Sequence, residues 1–274
     1  MAGTGVFSPG RAQIAARTLR KDRWWLQPLI TVIVFVSFIV YSTIRAFINT
    51  AYVQESSHLL SPFYSPCIVE RCKSGSADFG TPIGHWWAMS PALLILVVPL
   101  GFRFTCYYYR KAYYRSFWMS PPACAVAEPH AKYTGETRFP LIGQNVHRYF
   151  FYAGLVLNVI LTWDAIHSFK QEAGLAHAHG GAGWGHMGLG SLILSVNALL
   201  LWSYSLSCHS CRHAMGGRLN HFSKHPVRYW AWTQVSKLNT RHMQFAWVSL
   251  FGVALTDLYV SLVASGHFHD PRFF

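Results

Sequence analysis

The sequence predicts an all-α polytopic membrane protein: five transmembrane helices in an antiparallel bundle, with the N-terminus in the cytoplasm. Three observations carry this. The chain is 52% hydrophobic and only 12% charged, too apolar and too charge-poor for an ordinary soluble domain. Five windows are long enough to cross a hydrocarbon core, which needs roughly 20 residues at helical rise. Lys and Arg fall in alternate connections, so one side of the chain is basic and the other is not.

Residues 1–25 form a basic N-terminal segment holding Arg11, Arg17, Arg20, Lys21 and Arg23. It lacks the apolar run of a signal peptide, so insertion is expected to begin with the first span. The membrane domain covers 26–265. Its first span, Leu26 to Thr50, contains LQPLITVIVFVSFIVYSTI and carries no charge before Arg45. The second, Trp86 to Tyr109, contains Pro91 and Pro99, tolerated where neighbouring helices satisfy the freed carbonyls. The third runs from His147 to Ser168, the fourth from His186 to Ser207 and the fifth from Arg241 to Ser265. Residues 266–274 form a tail on the outer side.

Charge sets the orientation. The connections 110–146 and 208–240 hold Arg110, Lys111, Arg115, Lys132, Arg138, Arg212, Arg218, Lys224, Arg228 and Lys237, whereas the opposite side has only Arg71, Lys73, Lys170 and Arg272. The positive-inside rule places both basic connections in the cytoplasm. The net charge of +13 is therefore explained by topology, with no nucleic-acid partner required. Trp24, Trp25, Trp86, Trp87 and Trp184 fall where an aromatic belt belongs.

The cysteines divide by compartment. Cys67 and Cys72 lie in the outer connection, where an oxidising environment favours a disulfide. Cys106, Cys124, Cys208 and Cys211 face the reducing side, where thiols persist unless they bind metal or do redox chemistry. Cys124 sits in a proline-rich loop and is assigned no chemistry.

An antiparallel bundle brings the cytoplasmic ends of neighbouring helices to one level. There the second helix ends with Cys106, the third begins with His147, the fourth ends with Cys208 and the fifth begins with His242. Cys211 follows Cys208 by three residues; on a continuing helix the two sulfurs point within about 60 degrees of each other. His209 and His213 form a different face and are second-rank alternatives. Taken singly, a histidine at a helix end is often a snorkelling group and a buried cysteine a small hydrophobe. Four coincident helix ends point instead to a metal or redox centre. Thiolates with imidazoles suit tetrahedral zinc or a Rieske-type 2Fe-2S cluster, with two Cys on one iron and two His on the other. Haem b, clamped axially by His147 and His242, is the alternative. No HExxH-like pair supplies a zinc hydrolase with a base.

The strings FRFTCYYYRKAYYRSFW, SPPACAVAEPH, TGETRFPLIGQNVHRYFFY and LSCHSCRHAMGGRLNHFSKHPVRYW resemble those of the five-helix membrane anchor, of the cytochrome b class, of actinobacterial and especially mycobacterial succinate dehydrogenase. The likeness covers about Arg20 to Gly266 and is specific in the cytoplasmic connections. It implies a flavoprotein and an iron-sulfur protein as partner subunits, and a membrane quinone, menaquinone or ubiquinone, as electron acceptor. It also implies that the basic, aromatic connections dock the iron-sulfur subunit. Anchors with two haems carry a histidine in their first helix; this first helix has none, and Cys106 stands where an inner haem ligand belongs. The departure favours a cluster over the inner haem.

A quinone slot needs aromatic walls and polar groups that deliver protons. On the outer side, His85, Trp87, Asp164, His186 and Asp257, with Trp86, Trp163 and His167, form a candidate quinone site or proton path, since carboxylates inside apolar helices are costly and mark function. Arg103, Gln144, Arg148 and Arg241 form an inner candidate. The external run HAHGGAGWGH is read as a loop. A transporter or a zinc-stabilised scaffold is the reading from another class, but no internal repeat of the transporter kind is visible.

Overall fold

The structure, a computed structural model, describes residues 22–69, 77–124, 126, 138–171 and 183–273, with the backbone alone for 138–144 and 171. Its helices are α1 (Leu26–Ile48), α2 (Ala92–Ile95), α3 (Val97–Phe104), α4 (Tyr107–Phe117), α5 (Arg138–His167), α6 (Leu189–Leu206), α7 (His209–Gly216), α8 (Pro226–Asn239) and α9 (His242–Ala264). Two minimal hairpins join them: β1 (Val53–Gln54) with β2 (Leu59–Leu60), and β3 (Lys170–Gln171) with β4 (Gly183–Trp184). Among the described residues, α1, α5, α6 and α9 contain stretches long and apolar enough to cross a membrane; the bent succession α2–α3 plus α4 makes a fifth when counted as one span. The protein is thus a polytopic helical membrane protein, as its hydropathy predicts.

Three boundaries differ from the sequence reading by five residues or more. The second span starts at Ala92 instead of Trp86, because Thr81 to Ser90 turn rather than coil and Pro91 stands at the helix entrance. It also ends sooner: α4 leaves α3 at 80° after a break at Thr105 and Cys106. The reason lies in composition, since Arg110, Lys111 and Arg115 cannot follow the apolar residues into hydrocarbon and suit an interfacial helix. The third helix begins nine residues early, at Arg138. The connection 208–240 contains α7 and α8, which hydropathy does not detect because neither is apolar enough to span.

Contacts divide the chain into two units. The first comprises residues 1–41 and 103–147. In it, Phe35 of α1 stacks against Phe117 of α4 at 6.3 Å and meets Tyr109 at 5.9 Å. Tyr109 and Arg110 are buried, with Arg110 over the Tyr107 ring.

The second unit comprises residues 42–102 and 148–274. Its core gathers Leu59, Ala165, Leu194, Ala198, Val260 and Val263, so that β2 inserts a leucine among α5, α6 and α9. Small residues permit close approach: a Cβ on Gly190 would lie 2.5 Å from Leu59, and one on Gly252 would lie 2.8 Å from Leu200. Polar clamps join α5 to α6, with Asn158 Nδ2 donating to Ser205 Oγ at 2.8 Å and Trp202 Nε1 to Thr162 Oγ1 at 2.9 Å. Such bonds between membrane helices contribute about 0.6 to 2 kcal/mol each. The tail returns to the entrance of α6, where Leu189 N donates to Pro271 O and Phe273 N to Met187 O. Cys67 is disulfide-bonded; its expected partner Cys72 lies outside the described residues.

Candidate functional site

In the first unit, α3 stops at Phe104 and Thr105 is not helical. Cys106 then takes an extended conformation (φ −66°, ψ 133°) as the N-cap of α4, its carbonyl accepting from Arg110 N at 2.9 Å. The thiol is buried, 2% exposed. His147 of α5 is buried between exposed neighbours Val146 and Arg148, and its Nδ1 lies 2.8 Å from Thr105 Oγ1.

The second unit repeats this arrangement. Helix α6 stops at Leu206, Ser207 follows, and Cys208 takes φ −67° and ψ 147° as the N-cap of α7. Its Sγ accepts from Ser210 N at 3.4 Å, and its carbonyl accepts from Arg212 N at 3.1 Å. The chain therefore starts a new helix at Cys208 and does not continue α6, contrary to the geometry first assumed for Cys208 and Cys211. His242, the first residue of α9, is 1% exposed, and its Nδ1 lies 2.7 Å from Ser207 Oγ. The Tyr204 ring stacks on the imidazole at 5.1 Å and 9°, and Asn239 Nδ2 donates to Ser207 O at 2.7 Å. Each half-site thus consists of a span end, a hydroxyl residue, a helix-capping cysteine, and a histidine bonded to that hydroxyl.

The chemistry of the donors fits iron or zinc. A cysteine at a helix N-terminus is stabilised as thiolate by the aligned peptide dipoles. A histidine whose Nδ1 is occupied presents Nε2 to a metal, the usual role of an outer hydrogen-bond partner. Among the described residues, no three of His, Cys, Asp and Glu gather as a metal-ligand group. Cys211, also predicted, is buried one turn into α7, and burial pushes its thiol up from the ordinary cysteine range. His209 and His213 are exposed on another face. With Arg212, Gly216, Gly217 and Trp232 they line a cavity of about 280 Å³. Although its side chain is largely exposed, desolvation of the part of the His209 ring that faces the cavity wall, and secondarily Arg212, pushes His209 down.

The outer candidates fall at several places in the second unit. Asp257 is fully buried in α9, where Arg45 Nε donates to Oδ2 at 2.8 Å and the Ser61 hydroxyl donates to Oδ1. Asp164, fully buried in α5, accepts from the Ser65 hydroxyl. Both carboxylates are thus tied to serines of the outer connection. His85 is exposed beside Trp86 and Trp87, whose rings meet edge to face at 5.5 Å. His186 is half-buried, its backbone N donating to Phe169 O. His167 sits between Trp163 at 4.3 Å and Trp184 at 5.5 Å. Of the inner candidates, Arg103 donates to the Tyr109 hydroxyl, Arg148 and Arg241 are exposed, and the Gln144 side chain lies outside the described residues. Most of HAHGGAGWGH does too.

The sequence reading did not single out Thr105, Ser207, Tyr204 or Asn239. The available signal was the pair of dipeptides Thr-Cys and Ser-Cys, each at the end of an apolar run.

Comparison with known proteins covers nearly the whole chain. The profile of the family described as actinobacterial succinate dehydrogenase subunit SdhC matches residues 26–266. Among solved structures, a chain of the Mycobacterium smegmatis Sdh1 complex in the apo form is 58% identical. It covers 99% of each chain, with a TM-score of 0.87. A search of curated protein sequences gives no match.

Proposed function

Since the chain belongs to the actinobacterial succinate dehydrogenase SdhC family, a multi-pass membrane subunit of that bacterial enzyme, we propose that it carries electrons from succinate oxidation to a membrane quinone. The carrier is a Rieske-type 2Fe-2S centre held by Cys106, His147, Cys208 and His242. The single observation supporting this ligand set is the repeated half-site, in which each capping cysteine follows a hydroxyl residue bonded to a buried histidine. The repeat supports reading Cys106 rather than Cys211 as the fourth ligand, because Cys211 lies inside α7 and has no counterpart in α4. When bound, such a centre supplies one-electron transfer at a potential raised by imidazole ligation.

The protein's own residues do the rest. Cys106 and Cys208 offer their sulfurs from helix N-termini, where negative charge is favoured. Buried His147 and His242 keep water from the site. The charge pattern puts these ends in the cytoplasm. There the exposed Trp118 beside Arg115 in the first unit, and the exposed Tyr229 and Trp230 beside Arg228 in the second, are docking contacts for the iron-sulfur subunit, which in turn is fed by the flavoprotein. On the outer side, His85, Trp87 and His186 border the quinone slot. Asp164 passes protons to it through Ser65, whereas the charge of Asp257 is already matched by Arg45.

Replacing His147 and His242 together by Ala tests the reading. Quinone reduction by the assembled complex is expected to fall to background, while succinate oxidation by an artificial dye continues. Unchanged quinone turnover would reject both residues as ligands.

A further inference from the structure

The hydroxyls of Thr105 and Ser207 are more than helix-end decoration. Ser207 Oγ makes two contacts: it lies 2.9 Å from Tyr204 O and 2.7 Å from His242 Nδ1. A serine hydroxyl has one proton and two lone pairs, and a carbonyl oxygen can only accept. The last carbonyls of a helix have no intrahelical donor, so the Ser207 proton goes to Tyr204 O. The contact with the ring must then be supplied with hydrogen by the ring. His242 therefore carries its proton on Nδ1, and the ring's basic lone pair is on Nε2. Around this bond the site is locked. Ser207 is fully buried, Asn239 holds its carbonyl, and Tyr204 stacks flat on the imidazole, fixing the plane in which Nε2 points. Thr105 stands in the same relation to Cys106 and to His147 Nδ1, at 2.8 Å.

We infer that Thr105 and Ser207 are positioning residues: by accepting the Nδ1–H of His147 and His242 they fix both imidazoles in the tautomer that binds iron through Nε2, and they tune the potential of the centre. This rests on the cluster reading given above. An acceptor on Nδ1–H makes the imidazole more electron-rich, and a more basic ligand favours the oxidised over the reduced metal. Loss of the hydroxyl is therefore expected to raise the midpoint potential. The structure also offers its own conservative exchange, since one half-site uses threonine where the other uses serine.

Two measurements on the assembled, cluster-bearing complex test this. In the first, histidine is isotopically labelled at Nε2 alone or at Nδ1 alone, and pulsed paramagnetic resonance of the reduced complex reads the nitrogen couplings. The strong coupling of a directly bound nitrogen is expected to follow the Nε2 label. In the second, midpoint potentials are compared for the unsubstituted protein, Thr105→Val, Thr105→Ser and Ser207→Ala. Thr105→Val and Ser207→Ala are expected to raise the potential, and Thr105→Ser to leave it in place. Strong coupling that follows Nδ1 overturns the inference, as do unchanged potentials in both hydroxyl-free variants; in either case the cluster itself stands. A reduced complex with no two-iron signal overturns the cluster reading and this inference with it. The labelling uses the unsubstituted protein, so it gives its answer even where a variant fails to assemble.

Discussion

Asp257 is fully buried and Arg45 nearly so where they meet, and the Ser61 hydroxyl and the carbonyls of Thr50 and Ala51 take up further hydrogen bonds of the pair. Removing one partner of such a pair leaves a buried charge unmatched, so Asp257→Ala is expected to destabilise the protein by about 3–5 kcal/mol. Thermal unfolding of the detergent-solubilised complex measures this, and replacing both partners by apolar residues should recover much of the loss. Asp164 has a different assignment. Asp164→Asn keeps its size and its bond to Ser65 but cannot carry a proton. Quinone reduction is expected to fall while the melting temperature holds; full turnover would return Asp164 to a structural role. The sequence identified both carboxylates as anomalous, because acids in apolar helices are conspicuous. Their partners were not legible, since Ser61 and Ser65 are ordinary residues until the fold brings them against the acids, and nothing in the sequence pairs Arg45 of the first span with an acid of the fifth. The cysteines and histidines of the half-sites were legible for the same reason as the acids, whereas the hydroxyls beside them were masked by the many serines and threonines of membrane helices.

At the scale of the elements, close packing depends on a few missing side chains. A Cβ on Gly101 of α3 would lie 2.2 Å from the Phe150 ring of α5, closer than any real contact. Gly101→Val is therefore expected to cost about 1–3 kcal/mol by overpacking, read as a lower melting temperature with an unchanged metal content. The tail is a second dependence. Asp270 accepts from Gly190 N at 2.8 Å and from the Tyr259 hydroxyl, placing a carboxylate at the entrance of α6 where the helix dipole favours it. Asp270→Ala should cost about 1.5–3 kcal/mol, the value of a hydrogen bond to a charged group. The same stability assay decides it. Hydropathy located α1, α6 and α9 to within three residues, because uninterrupted apolar runs leave no other solution. It did not locate α4, α7 and α8, whose apolar and basic residues mix as interfacial helices require. The turn before Ala92 was misread as span, since Trp86 and Trp87 suit a membrane interface whatever their backbone conformation and no charged residue interrupts the stretch.

For the molecule as a whole, topology explains the charge asymmetry, and the family match covers the spans and the basic connections together. The fold class could be read from composition alone. The site could be read only as a set of residue types at matching depths, and the repeated half-site needed coordinates, because it is a relation between backbone breaks, capping residues and ring nitrogens. The central claim is that Cys106, His147, Cys208 and His242 hold a two-iron centre. It is tested most directly by the paramagnetic resonance and optical spectra of the purified complex, compared before and after Cys106→Ser and His242→Ala. The account predicts a reduced two-iron signal with histidine nitrogen couplings that either substitution abolishes. A sharp reduced haem band in its place, or a signal indifferent to both substitutions, would contradict it.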